Sequence, residues 1–267
     1  MRFRPCIDIH NGKVKQIVGG SLQDTGNQAA VNFASEQEAD YYARLYKEDG
    51  LIGGHVILLN PPTSSYYMET KKQACKALGA YPGGLQIGGG ITAENAEEYL
   101  NMGASHVIVT SYVFRGGQIR WEQMERLKST VGKERVVIDV SCRKREDDYY
   151  IVTDRWQNYT DVRLTEDVLR ELEAYCDEFL VHGVDVEGKS SGIDEKLARL
   201  LGNYNGIPVT YAGGIGSFED LRYFEQVTEG KVDFTIGSAL DLFGGTVPYE
   251  TVVLLSQQKP DDTIEID

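Results

Sequence analysis

Gln86-Ile87-Gly88-Gly89-Gly90-Ile91 and Tyr211-Ala212-Gly213-Gly214-Ile215 are two copies of one pattern. Each is a short apolar run that ends in glycines. Each is followed by a second run ending in a small hydroxyl residue: Val107-Ile108-Val109-Thr110-Ser111 after the first, Phe234-Thr235-Ile236-Gly237-Ser238 after the second. Glycine carries no side chain, so backbone N–H groups there come within hydrogen-bond reach of an anion. A helix starting just beyond adds its positive N-terminal end. One such stretch is a weak signal; two, each paired with a second strand of the same kind, are a strong one.

The repetition reaches further upstream. Gly214 follows Gly90 by 124 positions, and Ser238 follows Ser111 by 127. Cys6-Ile7-Asp8-Ile9 is echoed 131 positions later by Val137-Ile138-Asp139-Val140. His55-Val56-Ile57-Leu58-Leu59-Asn60 is matched more loosely, 124 positions on, by Phe179-Leu180-Val181-His182-Gly183-Val184. Four strands recur in one order, as expected of a half-unit used twice.

Read in order, the chain alternates strands and helices. Strands are expected at 3–9, 55–59, 85–87, 107–109, 135–140, 178–181, 208–211 and 234–236. Helices fall between them, capped by Ser35 (with Glu38 completing a capping box), Thr92, Thr165 and Ser217, while Gly103 ends the third. Two long polar stretches, 11–35 and 141–164, read as loops. Such alternation predicts a parallel sheet. The right-handed crossover rule and the twofold repeat favour closure into a (β/α)8 TIM barrel over an open doubly wound sheet. No G-x-G-x-x-G follows the first strand, so the dinucleotide fingerprint is absent. The expected organisation is one barrel over 1–258, with half-barrels of about 1–133 and 134–258, then an acidic tail at 259–267.

Composition narrows the function. With 27 basic and 41 acidic residues among 267, the net charge of −14 argues against a nucleic-acid partner. A small phosphate ligand stays open, because local N–H groups outweigh a distant field. No apolar run is long enough to span a membrane. The N-terminus has no apolar signal region. The four cysteines (Cys6, Cys75, Cys142 and Cys176) are scattered, as reduced thiols of a cytoplasmic protein rather than a disulfide frame or a metal site.

The ring turns positions into geometry. Strands one and five of an eight-strand barrel face each other, so Asp8 and Asp139 oppose one another at the C-terminal rim, where barrel active sites lie. Strands three and four likewise face seven and eight, so the two glycine cradles oppose each other across that line. A ligand with a phosphate at each end would span the mouth, its middle between two carboxylates placed for acid–base chemistry.

The stretch Pro5-Cys6-Ile7-Asp8-Ile9-His10-Asn11-Gly12-Lys13-Val14-Lys15-Gln16, with Gly88-Gly89-Gly90-Ile91, Ala212-Gly213-Gly214-Ile215 and Ile236-Gly237-Ser238, resembles the phosphoribosylformimino-aminoimidazole-carboxamide-ribotide isomerases of histidine biosynthesis. The resemblance covers nearly the whole chain, and His182-Gly183-Val184-Asp185-Val186-Glu187-Gly188 is closest to the eukaryotic variant. It implies a half-barrel repeat, a substrate with two phosphates, no cofactor, no metal, and an Amadori rearrangement of an aminoaldose to an aminoketose. Carried over, Asp8 is the general base and Asp139 the general acid, which at neutral pH requires a raised pKa. Gly89, Gly90, Thr110 and Ser111 form one phosphate site; Gly188, Gly213, Gly214, Gly237 and Ser238 form the other, with Gly192 as a further candidate.

Supporting residues are weaker candidates. Lys15 is either a solvated charge or a phosphate contact. His55 is either a satisfied core histidine or a substrate contact. His182 stands where bacterial members place a threonine, and either replaces its contact or does not. Trp156 either lies on the surface or closes over the ligand's imidazole by stacking. His10 and His106 carry no expected role, and Tyr149 and Tyr150 are expected to pack a loop. The rival functions are the related cyclase of the same pathway, a dual-substrate isomerase that also serves tryptophan synthesis, and a non-catalytic sugar-phosphate sensor. The chain is expected to act as a monomer.

Overall fold

Phe3 and Phe234 lie 231 positions apart in the chain, yet they pair as a parallel bridge that closes a ring of strands. In the computed structural model, which describes residues 1–17, 31–154, 156–189 and 191–257, the ring strands are β1 (Cys6–His10), β2 (Gly54–Leu58), β3 (Leu85–Gly88), β4 (Val107–Val109), β5 (Val136–Asp139), β6 (Glu178–His182), β7 (Val209–Ala212) and β8 (Asp233–Thr235). They hydrogen-bond in chain order, each parallel to the next. Arg4 N–H donates to the Phe234 carbonyl at 2.8 Å and Phe234 N–H to the Arg2 carbonyl at 3.0 Å, joining β8 to the approach of β1. The protein is a (β/α)8 TIM barrel built from two half-barrel repeats, and the open sheet is excluded. Pro5 lies just before β1, where its missing N–H costs no ladder bond.

The helices α1 (Ala39–Glu48), α2 (Tyr67–Ala80), α3 (Ala96–Asn101), α4 (Trp121–Val131), α5 (Glu166–Leu172), α6 (Glu195–Asn203), α7 (Phe218–Thr228) and α8 (Tyr249–Gln257) cover the ring. Each turns an apolar stripe inward; α6 buries Leu197, Ala198 and Leu201. Thr165 and Ser217 cap α5 and α7 as expected, accepting from the N–H groups of Val168 and Asp220. Ser35 does not cap α1: the helix starts four residues later, behind Glu38, and the Ser35 hydroxyl instead accepts from Gln37 N–H at 2.8 Å. Thr92 holds a turn ahead of α3, whose N-terminal flank is Asn95.

Both expected loops contain sheet. Asn11 (φ 53°) and Gly12 (φ 72°) form a tight turn that folds Lys13–Ile17 back on β1, and Val31–Ala34 pairs with it in turn. Cys142–Arg145, Asp148–Thr153 and Asn158–Arg163 make a three-stranded antiparallel sheet over the mouth beside β5. Lys259–Asp267, read above as an acidic tail, lies outside the described residues.

The N-terminal end of the ring is closed by charge. Buried Arg4 contacts Asp233 at 2.9 Å and Glu178 at 3.6 Å. Glu178 also accepts from Gln86 at 3.0 Å and Thr210 at 2.7 Å, so every charge there has partners. Above this layer Ile57, Ile108, Val137 and Leu180, from four different strands, form a small apolar cluster separate from the main core. Ile57 pairs with Asp8 and Leu180 with Asp139, so this cluster floors the opposite, C-terminal mouth.

Candidate active site

Asp8 and Asp139 end the lining of β1 and β5, and both open into one cavity of about 410 Å³. Gly89, Gly90, Thr110, Ser111, Trp156 and His182 line the same cavity. Gly188, Gly213, Gly214, Gly237 and Ser238 line a smaller notch next to it. Glu187 lines both and joins them. The structure thus gathers the two aspartates and both glycine cradles at one end of the barrel. Lys15 and His55 line neither cavity. Lys15 lies on the strand folded back over β1, and His55 is buried in the ring, its centroid 6.1 Å from that of His182. Burial and the His182 ring push His55 down to about 3, so it is neutral.

The cradles are shaped by glycine where nothing else fits. Gly89 and Gly213 have φ of 101° and 120°. A Cβ on Gly89 would lie 2.1 Å from the Leu58 carbonyl, and one on Gly214 2.0 Å from that of Gly192. Gly192 N–H donates to the Gly214 carbonyl, so Gly192 shapes the second cradle from behind. The helix contribution is smaller than the sequence suggested. At the start of α7 the Asp220 carboxylate accepts from Gly216 N–H and Ser217 Oγ, so the chain's own side chain occupies part of that end.

The two aspartates sit differently. Asp139 accepts from Thr110 Oγ1 at 3.0 Å, from Ser141 N–H at 2.8 Å and from the Ser141 hydroxyl. Asp8 lies over the apolar floor beside the Glu187 carboxylate, and burial with that like charge pushes it up to about 7. Glu187 is also raised by burial, and its Oε2 is buried without a hydrogen-bond partner among the described residues. The raised carboxyls of the mouth are therefore Asp8 and Glu187.

Trp156 and His182 meet at the roof, ring centroids 5.2 Å apart. Trp156 holds φ of 66°, a left-handed conformation rare for a bulky residue, which aims the tip of the antiparallel sheet into the mouth. Tyr149 and Tyr150 belong to that sheet, and Tyr149 bonds to Asp194 at the base of α6. Sequence reasoning passed over Ser141 and Glu187. Ser141 stands two residues past Asp139, just beyond the end of β5, where its N–H and hydroxyl turn back onto the Asp139 carboxylate. Glu187 offered no signal beyond preceding Gly188 among 41 acidic residues.

A closed parallel barrel whose C-terminal mouth gathers carboxyls and two glycine-rich notches in adjoining cavities has the form of a barrel enzyme with its site at that end. The family model described as "Histidine biosynthesis protein" matches residues 2–247, and the chain belongs to that family. Its relatives include the chloroplastic imidazole-4-carboxamide isomerase of Medicago truncatula, 54% identical, covering 97% of this chain and 83% of the relative. The imidazole-4-carboxamide isomerases of Neurospora crassa (46% identical, 91% and 93% covered) and Saccharomyces cerevisiae (44% identical, 92% and 94% covered) are similar over nearly their full length.

Proposed function

We propose that the chain is the histidine-biosynthesis isomerase that converts the N-linked phosphoribosyl aminoaldose to its aminoketose by an acid–base Amadori rearrangement. The relatives are named as isomerases whose names carry two 5-phosphoribosyl groups, which matches a mouth with two cradles. Nothing favours the cyclase, the dual-substrate isomerase or the sensor. The observation that carries the reading is the pair of aspartates on opposed strands, in one cavity, between those cradles.

The reaction follows from the geometry. One phosphate rests on Gly89, Gly90, Thr110 and Ser111; the other on Gly188, Gly213, Gly214, Gly237 and Ser238. The reacting sugar then lies over Asp8. An acid protonates the furanose oxygen, the nitrogen lone pair opens the ring to an iminium, and the neighbouring C–H becomes acidic. Asp8 removes that proton; a carboxylate raised to about 7 is a stronger base than an ordinary one and is half ionised near neutral pH. The enolamine relaxes to the ketose. Asp139 is the assigned acid. Glu187 is a second reading for that role, favoured by its upward shift, which keeps a proton on it at higher pH. Trp156 is placed to stack on the ligand's imidazole. No cofactor or metal enters this scheme.

The protein acts as a monomer in this reading, with neither nucleic acid nor membrane as partner. Among the described residues no helix is long and apolar enough to cross a membrane. Its four free cysteines suit a reducing compartment, and the cytoplasm is our assignment. The single barrel spans 1–258, divided near 133. The test mixes purified protein with the aminoaldose and follows the ketose: conversion by the wild type but not by Asp8→Asn supports the reading. Conversion only when ammonia and ketose are supplied would instead identify the cyclase.

A further inference from the structure

Ser141 stands between Asp139 and His182. Its hydroxyl donates to Asp139 Oδ1, while His182 Nδ1 lies 2.9 Å from Ser141 Oγ and the His182 backbone N–H donates to that Oγ at 3.1 Å. A hydroxyl has one proton to give. With Asp139 ionised, Ser141 gives it to that carboxylate, so His182 donates through Nδ1–H, which fixes the tautomer of the neutral imidazole. Nε2 is then a lone pair, with no hydrogen-bond partner among the described residues, on a ring that lines the cavity. Trp156 on one side and the buried His55 on another hold that ring in place.

We propose that Ser141 and His182 act as one positioning unit: Nδ1–H, through the Ser141 hydroxyl, locks Asp139 in its reactive rotamer, while Nε2 accepts an N–H from the middle of the bound ligand. The ligand class this selects is a diphosphorylated sugar whose central group carries amide or amidine N–H donors. A ligand with only carbonyl oxygens there would leave Nε2 unpaired. The unit moves no proton to the reacting carbon, and it rests on the reading of Asp139 as a group that touches the substrate.

Steady-state kinetics of a double-mutant cycle test it. Ser141→Ala and His182→Ala should each lower kcat, by about tenfold to a hundredfold, as expected for loss of a hydrogen bond to a charged group. The double variant should be no slower than the slower single variant, within about threefold. Ser141→Thr should restore kcat. His182→Asn retains a side-chain N–H near the Nδ1 position but lacks Nε2, so kcat should stay within about threefold while KM rises about tenfold. Multiplying effects in the double variant, or an unchanged KM in His182→Asn, would overturn the proposal. A readout independent of turnover is the ¹⁵N spectrum of the histidine rings of the wild-type protein at alkaline pH. The signals missing from the folded His182→Asn variant should report Nδ1–H; an Nε2–H tautomer overturns the proposal whatever the kinetics of the variants. If Asp139→Asn keeps full turnover, the reading of Asp139 fails and the positioning role falls with it; if Asp139→Asn is inactive but the tautomer is Nε2–H, the reading of Asp139 stands and the positioning unit fails.

Discussion

The two ends of the barrel treat carboxylates in opposite ways. At the N-terminal end Glu178 and Asp233 are buried but share Arg4, and Gln86 and Thr210 complete the bonds of Glu178. At the C-terminal mouth Asp8 lies beside the like charge of Glu187 above an apolar floor; among the described residues no cation lies between them, and one oxygen of Glu187 has no hydrogen-bond partner. Paired carboxylates hold the ring together; unpaired ones carry a free-energy cost that a fold without chemistry to do has no reason to keep. The contrast sets Asp8 and Glu187 apart from the structural acid residues without reference to any relative; Asp139, hydrogen-bonded to Thr110 and Ser141, is singled out by its place opposite Asp8 instead.

Substitutions at the two ends should therefore have opposite consequences. Asp8→Asn should lower kcat by about 10²–10⁴-fold, the range of a positioned proton transfer, with KM nearly unchanged. Near-normal turnover would remove Asp8 from the mechanism. At the other end Arg4→Met strands two buried carboxylates and should cost about 3–5 kcal/mol of unfolding free energy, read by urea titration. Asp8→Asn should instead raise stability above pH 7. The Asp8 pKa rises from 3.8 to about 7 on folding, so its contribution is fully present below pH 3.8 and is lost as pH climbs through 7. The uncharged variant escapes that loss and should gain about 2 kcal/mol at pH 8, a gain that vanishes near pH 4. Smallest, Glu187→Gln removes the like charge beside Asp8, so the acid limb of kcat/KM should move from near 7 to lower pH by up to about one unit. A limb that stays in place would mean burial alone sets the Asp8 pKa.

The barrel and the placing of Asp8 and Asp139 were legible in the chain; the contrast between its two ends was not. The doubled glycine stretches and the Asp8/Asp139 echo gave the ring, the opposed aspartates and the cradles, because a barrel converts strand order directly into position. The antiparallel additions were missed for different reasons. Asn11-Gly12 between Ile9 and Val14 is the dipeptide that favours a two-residue hairpin turn, and its signal was submerged in a polar stretch. Tyr149 to Thr153 alternates burial poorly, with Ile151, Val152 and Thr153 all buried in succession, so its period was weak. The N-terminal ion cluster was invisible: Arg4, Glu178 and Asp233 are scattered over 229 positions, and only closure of the ring joins them. Glu187 was illegible for the same reason, its meaning being set by burial and by Asp8 rather than by neighbours in sequence. The helix-terminus contribution was overestimated at α7, where Asp220 takes donors that the sequence left free for a ligand.

The most direct measurement is a crystal structure of the Asp8→Asn variant with the aminoaldose bound. This account predicts one phosphate against Gly90 and Ser111, the other against Gly214 and Ser238, and the reacting sugar carbon in contact with residue 8. A ligand with either phosphate in solvent, or with its sugar turned away from residue 8, would contradict it.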